Sequence, residues 1–156
     1  MLFGTVESIG DRINHLLRLR EQQDESLGFQ CFVPYPFLPD KTRLPEAQLA
    51  TGQEIIRMIS VSRLMLDNIP HIKAYRMNIG DKLASYAINC GADDVDGTVG
   101  HEEIMHEAGS KTSLTTNSEQ LARMVFSSGA TPVRRNSTYS KCEIINKKKK
   151  KSSHVL

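Results

Sequence analysis

Short apolar runs alternate with segments of helical periodicity along most of the chain. Residues 1–6 are apolar and aromatic, and Ser8 followed by Asp11 then gives the signature of a helix start. The next apolar residues recur at helical spacing, with arginine and glutamate on the opposite side: Ile9, Ile13, Leu16 and Leu17. The pattern predicts a strand that leads into an amphipathic helix.

The same order of strand and helix recurs further along the chain. The predicted strands cover residues 29–34, 72–77 and 94–95, and the helices that follow them cover residues 52–68, 81–89 and 101–108. A long loop is predicted from the prolines at 34 and 36 to about Ala50, between the second strand and its helix. Successive strand–helix units favour parallel pairing, so the predicted fold class is α/β.

The last part of the chain differs in composition. A further helix is predicted from about Ser118 to Gly129, and the polar sequence after it ends in KKKKKSSHVL. Because consecutive lysines repel one another and bury nothing, residues 140–156 are predicted to form a disordered basic tail. The folded body is expected to cover residues 1–139.

Composition and charge narrow the class of protein. The chain is 39% hydrophobic and 24% charged, which is typical of one soluble domain. Lys147 to Lys151 supply five of the 20 positive charges, so the rest of the chain, with 18 acidic residues, is slightly acidic. A broad nucleic-acid-binding surface is therefore excluded. We expect a cytoplasmic protein, since no apolar run is long enough to span a bilayer and no basic leader is present.

The cysteine and histidine spacings do not predict a metal site. Cys31, Cys90 and Cys142 are 59 and 52 residues apart, which indicates isolated thiols and not a disulfide framework or a paired metal motif. The segment HEEIMH resembles a zinc-binding helix motif, but His101 and His106 are five residues apart. That spacing turns their side chains about 140° away from each other on a helix.

Two charged residues are predicted where strands end, at the edge where α/β proteins bind ligands. Arg76 interrupts an otherwise apolar strand; its guanidinium either holds a ligand carboxylate or points outward between helices. Asp96, with Asp93 and Asp94 before it, precedes a glycine turn and either contacts a ligand or caps that turn.

Gly4 and Glu7 close the first predicted strand. A glycine lets another group approach the backbone, and Glu7 is placed to accept hydrogen bonds from a bound nucleotide or amino group. Glu7 also lies next to a helix start, where the helix dipole favours a carboxylate, so its type and position alone leave both interpretations open.

Several longer segments together resemble one enzyme family. They are LLRLREQQDESLGFQCFVPYPF at 16–37, SVSRLMLDNIPHIKAY at 60–75, GADDVDGTV at 91–99 and HEAGSKT at 106–112. In colinear order they resemble the C-terminal half of the aminofutalosine synthase family, the radical S-adenosylmethionine enzymes of the futalosine route to menaquinone. The resemblance covers roughly residues 1–139, and dehypoxanthine futalosine cyclases and deazaflavin-forming synthases are similar around the first two strands.

The resemblance implies a fold, a reaction and cofactors. The expected fold is the C-terminal half of a (β/α)8 barrel of the TIM type, strands five to eight with their helices. The family's enzymes cleave S-adenosylmethionine with a 4Fe-4S cluster. The 5′-deoxyadenosyl radical then adds to 3-[(1-carboxyvinyl)oxy]benzoate, with decarboxylation, to give aminofutalosine.

The resemblance also assigns roles to individual positions. The segment LFGTVE at 2–7 resembles the family element that flanks S-adenosylmethionine, which implies cofactor contacts for Gly4 and Glu7. Phe32 and Pro34 are expected at the exit of the sixth barrel strand, near the adenine. Strand-end geometry makes Arg76 and Asp96, at the exits of the seventh and eighth strands, candidate substrate-binding residues.

The family's CxxxCxxC cluster motif does not occur in this sequence. The cluster ligands are therefore expected in an N-terminal half absent from this chain, which is expected to be inactive alone. A half barrel exposes strand edges, which predicts self-association or docking to a separate N-terminal half. The alternatives are a dehypoxanthine futalosine cyclase-like fragment and a non-enzymatic α/β module whose lysine tail binds polyanions.

Overall fold

The structure is a computed structural model that describes residues 1–39, 43–98, 104–108, 110–113 and 116–146. Strands and helices alternate through most of these ranges. In chain order they are β1 (Leu2–Phe3), α1 (Ile9–Ser26), β2 (Cys31–Phe32), β3 (Tyr35–Pro36), α2 (Gly52–Met65), β4 (His71–Ala74), α3 (Arg76–Ile79), α4 (Asp81–Ile88), β5 (Asp94–Val95), α5 (Ile104–Glu107), α6 (Ser118–Ser127), β6 (Val133–Arg135) and β7 (Cys142–Ile144). The α/β class is confirmed.

One extended segment, residues 31–36, joins two sets of parallel strands. Its first half, β2, pairs with β4, which in turn pairs with β5, and its second half, β3, pairs with β1. The strands β1, β2–β3, β4 and β5 therefore follow one another in chain order. Each is linked to the next by a segment that contains a helix, as parallel pairing requires.

The pairing of β3 corrects the predicted start of the long loop. The sequence predicts that the second strand ends at the prolines, but Tyr35–Pro36 pairs with β1. Pro36 has no N–H, yet its neighbours donate instead: Tyr35 N to the Met1 carbonyl at 2.8 Å and Phe37 N to the Phe3 carbonyl at 2.7 Å. A proline is tolerated here because a parallel strand pair uses the N–H of alternate residues.

Reciprocal side-chain caps begin three of the helices. Ser8 accepts a hydrogen bond from the Asp11 N–H, and the Asp11 carboxylate accepts one from the Ser8 N–H. Thr51 with Glu54 and Asn117 with Gln120 make the same pair of bonds. Such caps satisfy N–H groups that the first helical turn leaves unpaired, so the predicted helix starts at Ser8 and Thr51 are confirmed.

The hydrophobic core lies between the helices and one face of the parallel strands. In β4 the side chains alternate: Ile72 and Ala74 are fully buried, while His71 and Lys73 are half-buried on the opposite face. The core cluster includes Phe3, Leu16, Phe32, Ile55, Met58, Ile59, Leu66, Ile69, Ile72, Ala74, Ala84 and Ala87. The strands are thus fixed by apolar packing on one side and remain polar on the other.

The polar end of the chain forms a hairpin where the sequence predicts the start of a disordered tail. Cys142–Ile144 pairs antiparallel with Val133–Arg135. The turn is held by Asn136, whose side chain donates to Thr138 and Ser140 and accepts from the Lys141 N–H. The prediction of disorder is wrong for residues 140–146, because hydrogen bonds and not apolar content organise this segment. Residues 147–156 lie outside the described ranges.

Two predicted elements differ in their bounds from the structure. The strand predicted to run to residue 77 ends at Ala74, and Arg76 is the first residue of α3. The change of direction has a cause beyond the local sequence, because the Asp96 carboxylate accepts hydrogen bonds from the Arg76 and Met77 N–H groups. The helix predicted at 101–108 is described only from Ile104 to Glu107.

None of the helices in the described ranges combines the length and the apolar character that crossing a bilayer requires.

Candidate functional site

The candidate site residues follow the carboxyl ends of neighbouring parallel strands. Gly4 and Glu7 follow β1, Pro34 follows β2, and Asp96 follows β5. Parallel strands present their carboxyl ends at one edge of a sheet, which is where α/β proteins bind ligands. Of the predicted residues, the structure brings Gly4 into hydrogen bonding with Glu7, and Arg76 with Asp96.

Glu7 holds the turn after β1 in one conformation. Its carboxylate accepts hydrogen bonds from the Gly4 N–H at 2.5 Å, the Thr5 N–H at 2.8 Å and the Thr5 hydroxyl at 2.7 Å. The Arg12 Nε adds an ion pair at 2.7 Å. Gly4 has φ +86°, a left-handed conformation that glycine adopts without strain. The turn is therefore a rigid backbone feature that requires both residues.

The electrostatics of Glu7 follow from these bonds. Partial burial opposes ionisation, but the hydrogen bonds from the Gly4 backbone and the Thr5 side chain outweigh it and lower the pKa of Glu7 to about 2. Its carboxylate is thus charged at neutral pH and already engaged by protein donors. Glu7 shapes the turn, and contact of Gly4 or Glu7 with a cofactor stays a prediction.

Arg76 and Asp96 form a buried charged network at the exits of β4 and β5. The Arg76 side chain is fully buried. Its Nη1 donates to Asp81 at 2.9 Å and to the Ser113 carbonyl at 3.3 Å, and its Nε lies 3.7 Å from the Asp96 carboxylate. Burial raises the pKa of Asp96, and hydrogen bonds from the Arg76 backbone act in the opposite direction. Contact of either residue with a substrate stays a prediction.

Phe32 and Pro34 provide apolar surface beneath the strand exits. Both side chains are buried, and Phe32 belongs to the core cluster. Next to Pro34 in the chain, the ring of Tyr35 packs against the ring of Tyr75, with centroids 4.9 Å apart. The expected proximity of Phe32 and Pro34 to an adenine stays a prediction.

A second polar cluster, centred on Asp94, was missed by the sequence interpretation. Arg135 makes a bidentate pair with the Asp94 carboxylate, Nε to Oδ1 at 2.8 Å and Nη2 to Oδ2 at 2.6 Å. The Tyr139 hydroxyl donates to the same carboxylate at 2.7 Å, and the Lys73 ammonium lies 3.4 Å from it. The cluster is hidden because its members are far apart in sequence: Arg135 and Tyr139 belong to the polar sequence after the last predicted helix, 41 and 45 residues from Asp94.

The Asp94 cluster attaches the hairpin to the polar face of the strands. Burial opposes ionisation of Asp94, but hydrogen bonds from Arg135 and Tyr139 prevail and lower its pKa. Burial and the bond to Asp94 raise the pKa of Tyr139, so this phenol stays protonated. The Tyr139 ring also stacks on His71, with centroids 4.1 Å apart. These contacts keep the Asp94 carboxylate charged and the Tyr139 phenol neutral, so neither group is set up to exchange a proton with a substrate.

Asp93 has a structural role as well. Its carboxylate accepts hydrogen bonds from Arg63 at 2.5 Å and from the Ile72 N–H at 2.8 Å, and it lies 2.7 Å from the His71 Nδ1. These partners connect α2, β4 and the start of β5. Asp93 and Asp94 thus organise the amino-terminal side of the strands, opposite the exits at which the sequence places them.

The cysteines lie on separate elements. Cys31 is half-buried in β2, Cys90 follows α4, and Cys142 is exposed on β7. Burial raises the pKa of the Cys31 thiol, so it is not an activated nucleophile. Within the described ranges, no group of three histidine, cysteine or acidic side chains could hold a metal ion. His106 contacts the Thr112 carbonyl at 2.9 Å, and His101 lies outside these ranges.

Parallel strand–helix units define an α/β protein, a class whose members bind ligands at the carboxyl edge of their strands. The family model described as the CofH/MqnC C-terminal region matches residues 26–148. The chain belongs to this family. The resemblance to the aminofutalosine synthase family is confirmed, and relatives of the chain are radical S-adenosylmethionine enzymes.

Curated relatives match nearly the whole chain. The aminodeoxyfutalosine synthase of Thermus thermophilus is 38% identical over 148 residues, which cover 92% of this chain and 40% of that protein. The enzyme of the same name from Streptomyces coelicolor is 40% identical over 152 residues, with 89% and 39% covered. The 5-amino-6-(D-ribitylamino)uracil–L-tyrosine 4-hydroxyphenyl transferase of Methanoculleus marisnigri is 40% identical over 144 residues, with 90% and 39% covered. The chain spans about two fifths of the length of these relatives.

The described residues fit one of the two cofactors that the family implies. A 4Fe-4S cluster needs closely spaced thiolates, and the three cysteines lie on different elements, so the fit fails for the cluster. The turn after β1 lies where the resemblance expects S-adenosylmethionine, and hydrogen bonds from Gly4 and Thr5 to Glu7 fix its backbone shape. The cluster ligands are expected outside the described residues.

The lowered pKa of Glu7 predicts a pH-dependent stability. A carboxylate with a folded pKa of about 2 stabilises the fold above its unfolded value of 4.5, and this contribution is lost as pH falls from 4.5 to 2. Between pH 4.5 and 2, unfolding of the Glu7→Gln variant should therefore take up about one proton fewer than unfolding of the native sequence. The measurement is the slope of the unfolding free energy against pH. Glu25→Gln, an exposed site on α1, is the control, and equal slopes for the two variants would contradict the assignment.

The Asp94 cluster predicts that the hairpin detaches when its anchor is neutralised. Asp94→Asn should cost about 3 kcal/mol of unfolding free energy, because it leaves the partly buried Arg135 without its charge partner. Amide hydrogen exchange in residues 133–144 should accelerate more than in α2. Glu143→Gln, which removes only an exposed ion pair of the same hairpin, should cost less than about 1 kcal/mol. Unchanged amide hydrogen exchange of residues 133–144 in the Asp94→Asn variant would show that contacts other than those of Asp94 hold the hairpin.

Proposed function

We propose that this chain forms the C-terminal part of a radical S-adenosylmethionine enzyme of the aminofutalosine synthase type. It acts together with a segment that carries the 4Fe-4S cluster, and its substrate is 3-[(1-carboxyvinyl)oxy]benzoate. The names of the Thermus and Streptomyces relatives support this reaction. The observation that carries the proposal is the turn after β1, where Gly4 and Glu7 form a fixed backbone shape at the first strand exit.

The chain's own residues have distinct tasks in this proposal. S-adenosylmethionine supplies the 5′-deoxyadenosyl group once it is bound with the cluster. The Gly4–Glu7 turn orients that cofactor through its backbone, and the buried Phe32 and Pro34 exclude water beneath it. Arg76 and Asp96 face the substrate end. The Arg76 Nε is buried and lies 3.7 Å from the Asp96 carboxylate without a hydrogen-bond partner among the described residues, so a substrate carboxylate would compete with Asp96 for this donor.

We further propose that the parallel strands are half of a (β/α)8 barrel. The chain-order arrangement of β1, β2–β3, β4 and β5 supports this, because barrel strands follow one another in that way. The outer edge of β1 is the proposed docking edge for the cluster-bearing segment. Leu2, Val6 and Ile9 are exposed beside it and would become buried on docking.

A second candidate reaction has its own support. The Methanoculleus relative is as similar as the Streptomyces synthase, at 40% identity, and its name describes transfer of a 4-hydroxyphenyl group from L-tyrosine to 5-amino-6-(D-ribitylamino)uracil. The two candidate reactions have different substrates. An assay with both substrate sets separates them.

A chimaera tests the proposed reaction. Residues 1–146 replace the matching region, 40% of the Thermus thermophilus relative, and the protein is reconstituted with iron and sulfide and reduced. With S-adenosylmethionine and 3-[(1-carboxyvinyl)oxy]benzoate we expect aminofutalosine, detected by mass spectrometry. The Asp96→Asn chimaera should lose activity by about 10–100-fold because the charged network that fixes Arg76 is weakened. Asp24→Asn on the exposed surface of α1 is the matched control and should stay fully active.

Three outcomes of this assay discriminate between the hypotheses. A folded, cluster-loaded chimaera that forms no aminofutalosine contradicts the proposed reaction. Coupling of tyrosine to 5-amino-6-(D-ribitylamino)uracil by the same protein supports the second candidate. Equal activity of the Asp96→Asn and Asp24→Asn chimaeras removes Asp96 from the substrate end while leaving the reaction assigned.

A further inference from the structure

An open cavity of about 420 Å³, closer to a surface groove than to an enclosed chamber, lies between the hairpin and the polar face of the parallel strands. Its wall includes the segment that precedes β2, Lys73 of β4, and Arg135, Ser137 and Tyr139 of the hairpin. Arg76 and Asp96 are not among the lining residues, because they follow the carboxyl ends of the strands. The cavity is therefore a separate feature at the amino-terminal side, and nothing in the proposed reaction uses it.

The wall of the cavity carries one surplus positive charge. Arg135 is already occupied, since it pairs with both oxygens of Asp94 and donates its Nη1 to the Asn136 carbonyl at 3.1 Å. Lys73 contacts Asp94 only as an ion pair at 3.4 Å, and its ammonium has no hydrogen-bond partner within the described ranges. One carboxylate thus faces two cations. Lys73 keeps donors to offer to a bound anion.

Two neutral donors and an aromatic ring complete the wall. The Gln30 amide and the Ser137 hydroxyl line the cavity, and neither side chain has a hydrogen-bond partner in the part of the chain that the structure describes. Phe29 lines it too and packs its other side against the core. The cavity therefore offers polar donors and apolar surface together, as small-molecule sites do.

We propose that this cavity binds a small organic monocarboxylate. The carboxylate accepts from the Lys73 ammonium, the Gln30 amide and the Ser137 hydroxyl, and the apolar body of the ligand lies against Phe29. A single negative charge balances the surplus positive charge, whereas a dianion leaves one charge unpaired beside Asp94. The volume also exceeds what a small inorganic anion fills and lies in the range of organic ligands.

Titration with simple probes tests this assignment on the full chain. Benzoate is the probe, benzamide is its uncharged analogue of the same shape, and inorganic phosphate is the compact multivalent anion. We expect benzoate to bind at millimolar concentration, observed by NMR shifts of residues 28–31 and 137. Benzamide should bind at least about tenfold more weakly, since it lacks the charge that Lys73 pairs with.

Substitutions of two lining residues test whether benzoate binds in the cavity. Lys73→Met should weaken benzoate binding about tenfold, and Gln30→Ala about threefold through loss of one hydrogen bond. Lys82→Met makes the same charge change on the exposed surface of α4 and should leave binding unchanged. Gln30 is exposed and its side chain has no hydrogen-bond partner among the described residues, so Gln30→Ala decides the question if Lys73→Met reduces the circular dichroism of the folded state.

Several outcomes of the titration would overturn the proposal. Equal affinity for benzoate and benzamide, tighter binding of phosphate, or no benzoate binding up to about 50 mM in the folded protein each exclude a monocarboxylate site. Equal affinity of the Gln30→Ala and Lys82→Met variants for benzoate also places the ligand elsewhere. None of these results bears on the chimaera assay, so the two proposals fail independently.

Discussion

The parallel pairing of β4 with β5 is the constraint on which both ends of the molecule depend. Its register sets Lys73 opposite Asp94 and Ala74 opposite Val95. Asp94 and Asp96 are two residues apart, so they lie on one face of the strand. The first reaches the hairpin and the second reaches the start of α3. A slip of one residue would turn both carboxylates into the helix layer, where neither would find its partners.

The two aspartates show how the immediate surroundings decide the chemistry of one residue type. Asp94 faces a bidentate arginine, a phenol and a lysine, and these donors lower its pKa despite burial. Asp96 faces mainly backbone N–H groups and one guanidinium at 3.7 Å, and there burial prevails and raises its pKa. The first is a fixed charge that anchors the hairpin. The second is held at the strand exits, where burial disfavours its charged form.

The sequence predicts well what is decided locally. Helix starts at Ser8 and Thr51 follow from caps within four residues, and the buried alternation of β4 follows from its apolar pattern. It fails where partners are distant. Arg76 begins a helix because Asp96, 20 residues away, binds its N–H, and the hairpin is ordered because Arg135 reaches Asp94, 41 residues away. Neither pairing leaves a signature in the composition of its own segment.

The central claim is that the turn after β1 orients the adenosyl cofactor through its backbone, and cofactor binding tests it most directly. In the cluster-loaded chimaera, S-adenosylmethionine affinity is measured for the native sequence, for Gly4→Val and for Gly97→Val. Gly4 has φ +86°, whereas a Cβ at Gly97 would meet no atom of the described residues within 4 Å. We expect Gly4→Val to bind the cofactor at least about tenfold more weakly and Gly97→Val to bind it normally. Equal affinities for all three proteins at equal cluster content would contradict the account.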